Sequence, residues 1–264
     1  MFDLASQVIK GSSSNLKMPI MCIHGIGGVG KSTFGASAPN NLFIPIEDGL
    51  GMLAANPNVT MTPVPQSYAE VDHIIDALLT QQHSYKWLVI DSITSLEKKL
   101  WQDLCKKYNH ESIEAFGYGK GFNMALEIMS KFILKLRQLR DLKGMGVIII
   151  AHSNVTTVNK PDKDPYDLYG IQVNKKLADF IHSQCDLVGF AEKEVCIRTE
   201  DNGFSQRGKA IETGQRLLHC YSTEKYSSKN RYGMEDMRPI PLDFNALMQA
   251  IASKIPQQPK SVQE

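Results

Sequence analysis

The stretch GIGGVGKS, residues 25–32, fits the pattern GxxxxGK(S/T) and stands between an apolar run, PIMCIHG, and a helix-compatible one, STFGASA. Gly25, Gly27, Gly28 and Gly30, with Val29 among them, would let backbone N–H groups converge on phosphate oxygens where side chains would block the approach. Lys31 has the reach for β- and γ-phosphates, Ser32 offers Mg2+ a hydroxyl, and Thr33 opens a helix whose positive end favours anions. The chemistry expected of this cradle is binding of ATP with Mg2+. Three more polar residues end apolar runs, where α/β sheets bind ligands. Asp91 ends KWLVIDS and suits the Mg2+ shell, with capping of the next helix by Asp91 or Ser92 as the competing role. Glu47, in NLFIPIED, is placed to orient and deprotonate a water opposite the γ-phosphate, with Asp48 as its rival. His152 ends GVIIIAHS, either as a γ-phosphate sensor or as a structural histidine. Far downstream, SSKNRYGM (227–234) holds Lys229 and Arg231 two residues apart, with Lys225 just before them.

The elements that must position these groups follow from hydrophobic period. Residues 19–25, 41–48, 86–92 and 146–153 read as buried strands, and 58–65 as a further strand weakened by its prolines. Helical spacing marks 67–82, which opens on Ser67 with an acidic first turn, then 94–108, 121–142 up to Gly144, 173–186 and a short helix near 243–253. Residues 154–170, NVTTVNKPDKDPYDLYG, lack periodicity and read as a long polar loop. DLVGFAEKE then opens a strand-rich end. The prediction is an α/β fold with a mostly parallel central sheet flanked by helices and antiparallel strands at the C-terminal edge. One domain is expected over 19–254, between a flexible lead-in at 1–18 and a polar tail at 255–264.

The totals set bounds on function. With 264 residues and a net charge of +1, binding to nucleic acid would need a local patch, since no global basic field exists. The five cysteines are odd in number and never in CxxC spacing, which argues against a disulfide framework or zinc site and for a reducing compartment. No apolar run approaches the roughly 20 residues of a membrane span.

The phosphate loop after the first strand, a glutamate after the second, Asp91 and the polar end of the next long strand together resemble the RecA/DnaB-type P-loop core. The phrases GYGKGF, AHSNV and KNRYG are most similar to phage-type RecA-core ATPases, single-strand annealing recombinases of bacteriophages and prophages. The resemblance spans roughly residues 19–235. It implies an oligomeric ATPase of DNA recombination or repair in the cytoplasm, the bacterial host's if phage-encoded, with a single-strand-binding protein as a possible partner. KNRYG resembles the Lys-x-Arg-x-Gly element that hexameric helicases project onto the neighbouring subunit's ATP. By that likeness Arg231 is the principal trans finger and Lys229 its companion, ahead of Lys225. A finger of this kind is worth about 10³–10⁵ in turnover.

In RecA-type proteins two loops face the nucleic acid. One candidate is 109–123, where Phe116, Tyr118, Lys120 and Phe122 stand among glycines, the aromatic and cationic mix of a stacking platform for single-stranded DNA. The other is 154–170 with Tyr166 and Tyr169, followed by Lys175 and Lys176; its lysines are offset by Asp162, Asp164 and Asp167, so it is not a basic patch. The alternatives are a helicase-type motor or helicase-loading ATPase, and a monomeric P-loop kinase with a cis arginine lid.

Overall fold

Strand β1 (Ile20–Gly25) is buried along its whole length, as a central parallel strand covered on both faces must be. Its side chains alternate between two cores. Ile20 and Cys22 face one cluster and Met21 and Ile23 the other. The computed structural model describes residues 16–161, 163–201 and 206–255. The expected lead-in and tail lie outside these apart from 16–18 and 255.

Around β1 the parallel strands run in the order β7-β1-β5-β4-β2-β3. They are β2 (Asn41–Pro45), β3 (Thr60–Met61), β4 (Trp87–Asp91), β5 (Gly146–Lys160) and β7 (Leu187–Asp201). Antiparallel β8 (Gln206–His219) and then β10 (Ile240–Pro241) extend the β7 side, and β9 (Lys229–Asn230) pairs with the start of β7. The mostly parallel sheet and its antiparallel edge are as expected. The strand expected over 58–65 shrinks to two residues, because Pro63 and Pro65 lack the N–H that a ladder needs.

Helices cover both faces. Helix α1 (Lys31–Ala36) and α6 (Phe244–Lys254) pack on one face, where Phe244 meets Trp87 edge-on at 4.9 Å. On the other lie α2 (Tyr68–Thr80), α3 (Ile93–Tyr108), α4 (Lys120–Lys143) and α5 (Lys175–Gln184). Their starts are capped in the ordinary way. Ser67, Ser92, Asn174 and Asp243 each accept a first-turn N–H with the side chain. Gly144 ends α4 in the left-handed conformation, as its position after the last apolar residue predicts.

Residues 154–170 differ from the expectation. Strand β5 runs on past the core to Lys160 and returns as β6 (Lys163–Ile171), an antiparallel hairpin instead of a loop. Polar composition hides it: a solvated two-stranded ribbon needs no apolar face when a core strand sets its register. Thr157 Oγ1 donating to Asp167 at 2.8 Å adds a cross-strand tie.

Candidate active site

Strand register brings the predicted residues together. Gly25 pairs with His152, Asp91 with Ile150 and Pro45 with Asp91, so the upper ends of β1, β4 and β2 stand beside His152, where β5 leaves the core. Ile46 N–H donates to the Asp91 carbonyl at 2.6 Å, which carries Glu47 over the end of β4. These ends border a cavity of about 640 Å³ whose lining includes Gly27, Gly28, Gly30 to Thr33, Glu47, Asp91 and His152.

The cradle is a tight turn. Gly28 (φ 74°) and Gly30 (φ 106°) occupy backbone conformations that favour glycine. At Gly25 a Cβ would lie 2.4 Å from the Ala191 carbonyl oxygen, so β1 and β7 approach too closely for any side chain. Val29 is fully buried and pins the turn to the core. Cβ atoms on Gly27 or Gly28 would meet nothing within 4 Å, which leaves the space that phosphates need. Lys31 donates to the Gly25 and Ile26 carbonyls, both at 2.8 Å. Burial lowers its pKa, against the pull of Asp91 and Glu47.

Asp91 has its pKa raised by burial, and by the charge of Glu47, against the Ser32 hydroxyl and Lys31. A hydroxyl beside a carboxylate is the hard oxygen set that Mg2+ takes alongside phosphate oxygens, so Ser32 and Asp91 fit the metal. Bound there, Mg2+ would neutralise charge developing on the phosphates. Glu47 is clamped by one oxygen. Its Oε1 accepts from Ser92 Oγ at 2.9 Å and Ser95 Oγ at 2.8 Å, and lies 3.2 Å from His152 Nε2. Burial works to raise the Glu47 pKa, but these hydrogen bonds prevail and hold it below the usual carboxylate range. Ser92 thus caps α3 and orients Glu47, and Asp91 is left to face Ser32. Asp48 is exposed and does not line the cavity.

The AAA domain matches residues 17–232, most of the chain. The chain belongs to the AAA domain family. No match is found among the curated proteins. Membership of an AAA-type P-loop ATPase family points to nucleotide-binding ATPase activity, and the cavity brings the glycine turn, Lys31, Glu47, Asp91 and His152 together.

Other predicted residues fall elsewhere. Arg231 Nη1 donates to Asp186 Oδ1 at 3.0 Å and Nη2 to the Ser183 carbonyl at 2.8 Å, while Lys229 Nζ donates to the His182 and Ser183 carbonyls at 2.6 and 3.2 Å. Both cations therefore cap the C-terminal end of α5. Asp186 also accepts from Ile20 N–H, which puts Arg231 at the foot of β1, roughly 16 Å from the cradle at five strand rises. Arg231 is thus not part of its own chain's site. Phe116 packs on Tyr108 and His110, and Phe122 meets Trp101 edge-on at 5.3 Å, so both face inward. Tyr118 is fully exposed between Gly117 and Gly119. Tyr169 stacks on Phe190 at 5.2 Å, and its backbone bonds Lys225 and Ser227.

The sequence reading missed two groups. His24, buried in β1, has its pKa lowered to about 4, chiefly by burial. Its neutral ring donates from Nε2 to the Ser227 carbonyl at 2.7 Å and accepts at Nδ1 from Ser153 at 2.9 Å. It joins the hairpin base to the segment leading to Arg231. Arg216, on β8, lines the same cavity. The one signal for it was Gly214 inside a strand pattern, which marks a bulge.

Proposed function

We propose that this ATPase is an oligomeric single-stranded-DNA-binding protein of the recombinase or annealing type, with ATP clamped between two copies. The observation that supports DNA binding is the meeting of the two predicted segments: Lys176 Nζ donates to Asn123 Oδ1 at 3.2 Å. Exposed Tyr118, Lys120, Lys175 and Lys176 therefore share one neighbourhood, at the same end of the sheet as the cradle. An exposed aromatic beside three lysines suits base stacking with phosphate neutralisation. His152 links the two sites. It touches Glu47 through Nε2, and its carbonyl accepts from Gln172 N–H at 2.9 Å, just before α5.

Because Arg231 is remote from its own cradle, a role in hydrolysis requires a neighbour's nucleotide. Its side chain is 51% exposed even while paired. In this reading an adjoining triphosphate draws the guanidinium away from the α5 carbonyls, and hydrolysis depends on assembly. The test is retention of single-stranded DNA at low salt with a non-hydrolysable ATP analogue, together with self-association by light scattering. Failure of both refutes the proposal. A second reading, a monomeric P-loop phosphotransferase, is favoured by the cis arginine at the cavity. Turnover per protomer that stays flat as protein concentration rises would establish it.

A further inference from the structure

Strand β8 carries an insertion at one place. Lys193 pairs with Arg216 and Val195 with Glu212, so Glu194 alone on β7 faces Thr213, Gly214 and Gln215. Gly214 takes φ 83°, and Thr213 Oγ1 holds the kink by donating to Glu194 Oε2 at 2.7 Å and accepting from Gln215 N–H at 3.3 Å. Bulges beside active sites re-aim the next side chain. Here the next residue is Arg216. Its backbone is fixed, since its carbonyl accepts from Leu242 N–H at 2.9 Å. Its guanidinium reaches the cradle, with Nη1 2.6 Å from where a Gly30 Cβ would stand. Among the described residues no carboxylate or carbonyl accepts from it, whereas Lys31, Lys229 and Arg231 are all engaged.

We propose that Arg216 is a polyphosphate-binding residue for the protomer's own nucleotide, delivered in cis by the β8 bulge from the flank opposite Glu47. The strand order fixes that flank. β8 and β7 lie on one side of β1, and β5, β4 and β2, which bring His152, Asp91 and Glu47, lie on the other. Charge supplies the reason. Among the lining residues Lys31 stands against two carboxylates, Glu47 and Asp91, and Arg216 is the second fixed cation there for a polyanion. Coming from the side away from the hydrolytic water, Arg216 holds the phosphates shared by substrate and product.

The inference rests on the cradle being a nucleotide site, and the experiment separates the two. Binding of ADP and of a non-hydrolysable ATP analogue is titrated for wild type, Lys31→Ala, Arg216→Ala and Arg216→Lys. Arg216→Ala is expected to weaken both nucleotides equally, by about 10- to 100-fold, the worth of charge-assisted hydrogen bonds. Arg216→Lys should recover part of this, because it keeps the charge and loses the planar fork. Nucleotide-free melting should match wild type, since the side chain is exposed and has no partner among the described residues. Binding within twofold of wild type, a loss confined to the triphosphate, or a lowered nucleotide-free melting temperature would each overturn the proposal. Wild type and Lys31→Ala both failing to bind would overturn the nucleotide site itself.

Discussion

Replacing Glu47 by Gln tests the hydrolytic geometry most directly. All three donors near Glu47 converge on Oε1, and among the described residues Oε2 has no partner, so Oε2 is the atom left for a water. In the glutamine the amide oxygen can still accept from Ser92 and Ser95. The NH2 group then replaces Oε2 and offers the water a donor where an acceptor is needed. The fold and the cradle are untouched, so nucleotide affinity should stay within a few-fold. Positioned bases contribute about 10²–10⁴ in rate. Because Glu47 is held below the usual carboxylate range, as the base it would orient water more than abstract a proton, which places the expected loss in kcat near 10²–10³. That is about 3–4 kcal/mol of transition-state stabilisation. Phosphate release at saturating ATP, with analogue binding measured in parallel, reads both quantities. A kcat within threefold of wild type would refute the assignment, and the same loss in Asp48→Asn alone would move it to that residue.

Arg231→Ala should keep nucleotide binding and lose the rise of turnover with protein concentration; unchanged kinetics would leave Arg231 as a cap for α5 alone. Its direct effect on stability should be at most about 1 kcal/mol, because Asp186 retains Arg140 and the Ile20 N–H. Tyr118→Ala should weaken single-stranded DNA binding by roughly 1–3 kcal/mol, the worth of one stacked base, without altering DNA-free ATPase. Filter binding that matches wild type would remove Tyr118 from the interface. Glu97 is buried and accepts from Asn174 N–H with both oxygens, and burial raises its pKa from 4.5 to about 7. The folded state therefore binds the extra proton between these values, and stability falls as pH rises through that window, by about 3 kcal/mol. Glu97→Gln should flatten this slope in urea titrations at pH 5 and pH 8, and parallel profiles for the two proteins would refute it.

The sequence determined the cradle, because eight contiguous residues set a turn whose glycines, lysine and hydroxyl act through their own backbone. It also determined which strands are central, since burial on both faces demands unbroken apolar runs. Strand ends were legible too, and Glu47, Asp91 and His152 stand where their runs stop. That these three meet was not legible, because it depends on β5 lying between β1 and β4 and on the register Gly25–His152 and Asp91–Ile150. The 154–170 hairpin escaped for a related reason: its pairing is inherited from β5 and needs no apolar pattern of its own. The cations show the difference best. Spacing drew attention to Lys229 and Arg231, yet packing ties them to the end of α5, while Arg216, unremarkable in sequence, reaches the phosphate loop. Side-chain destination is set by contacts between residues distant in the chain, and only tertiary structure decides those.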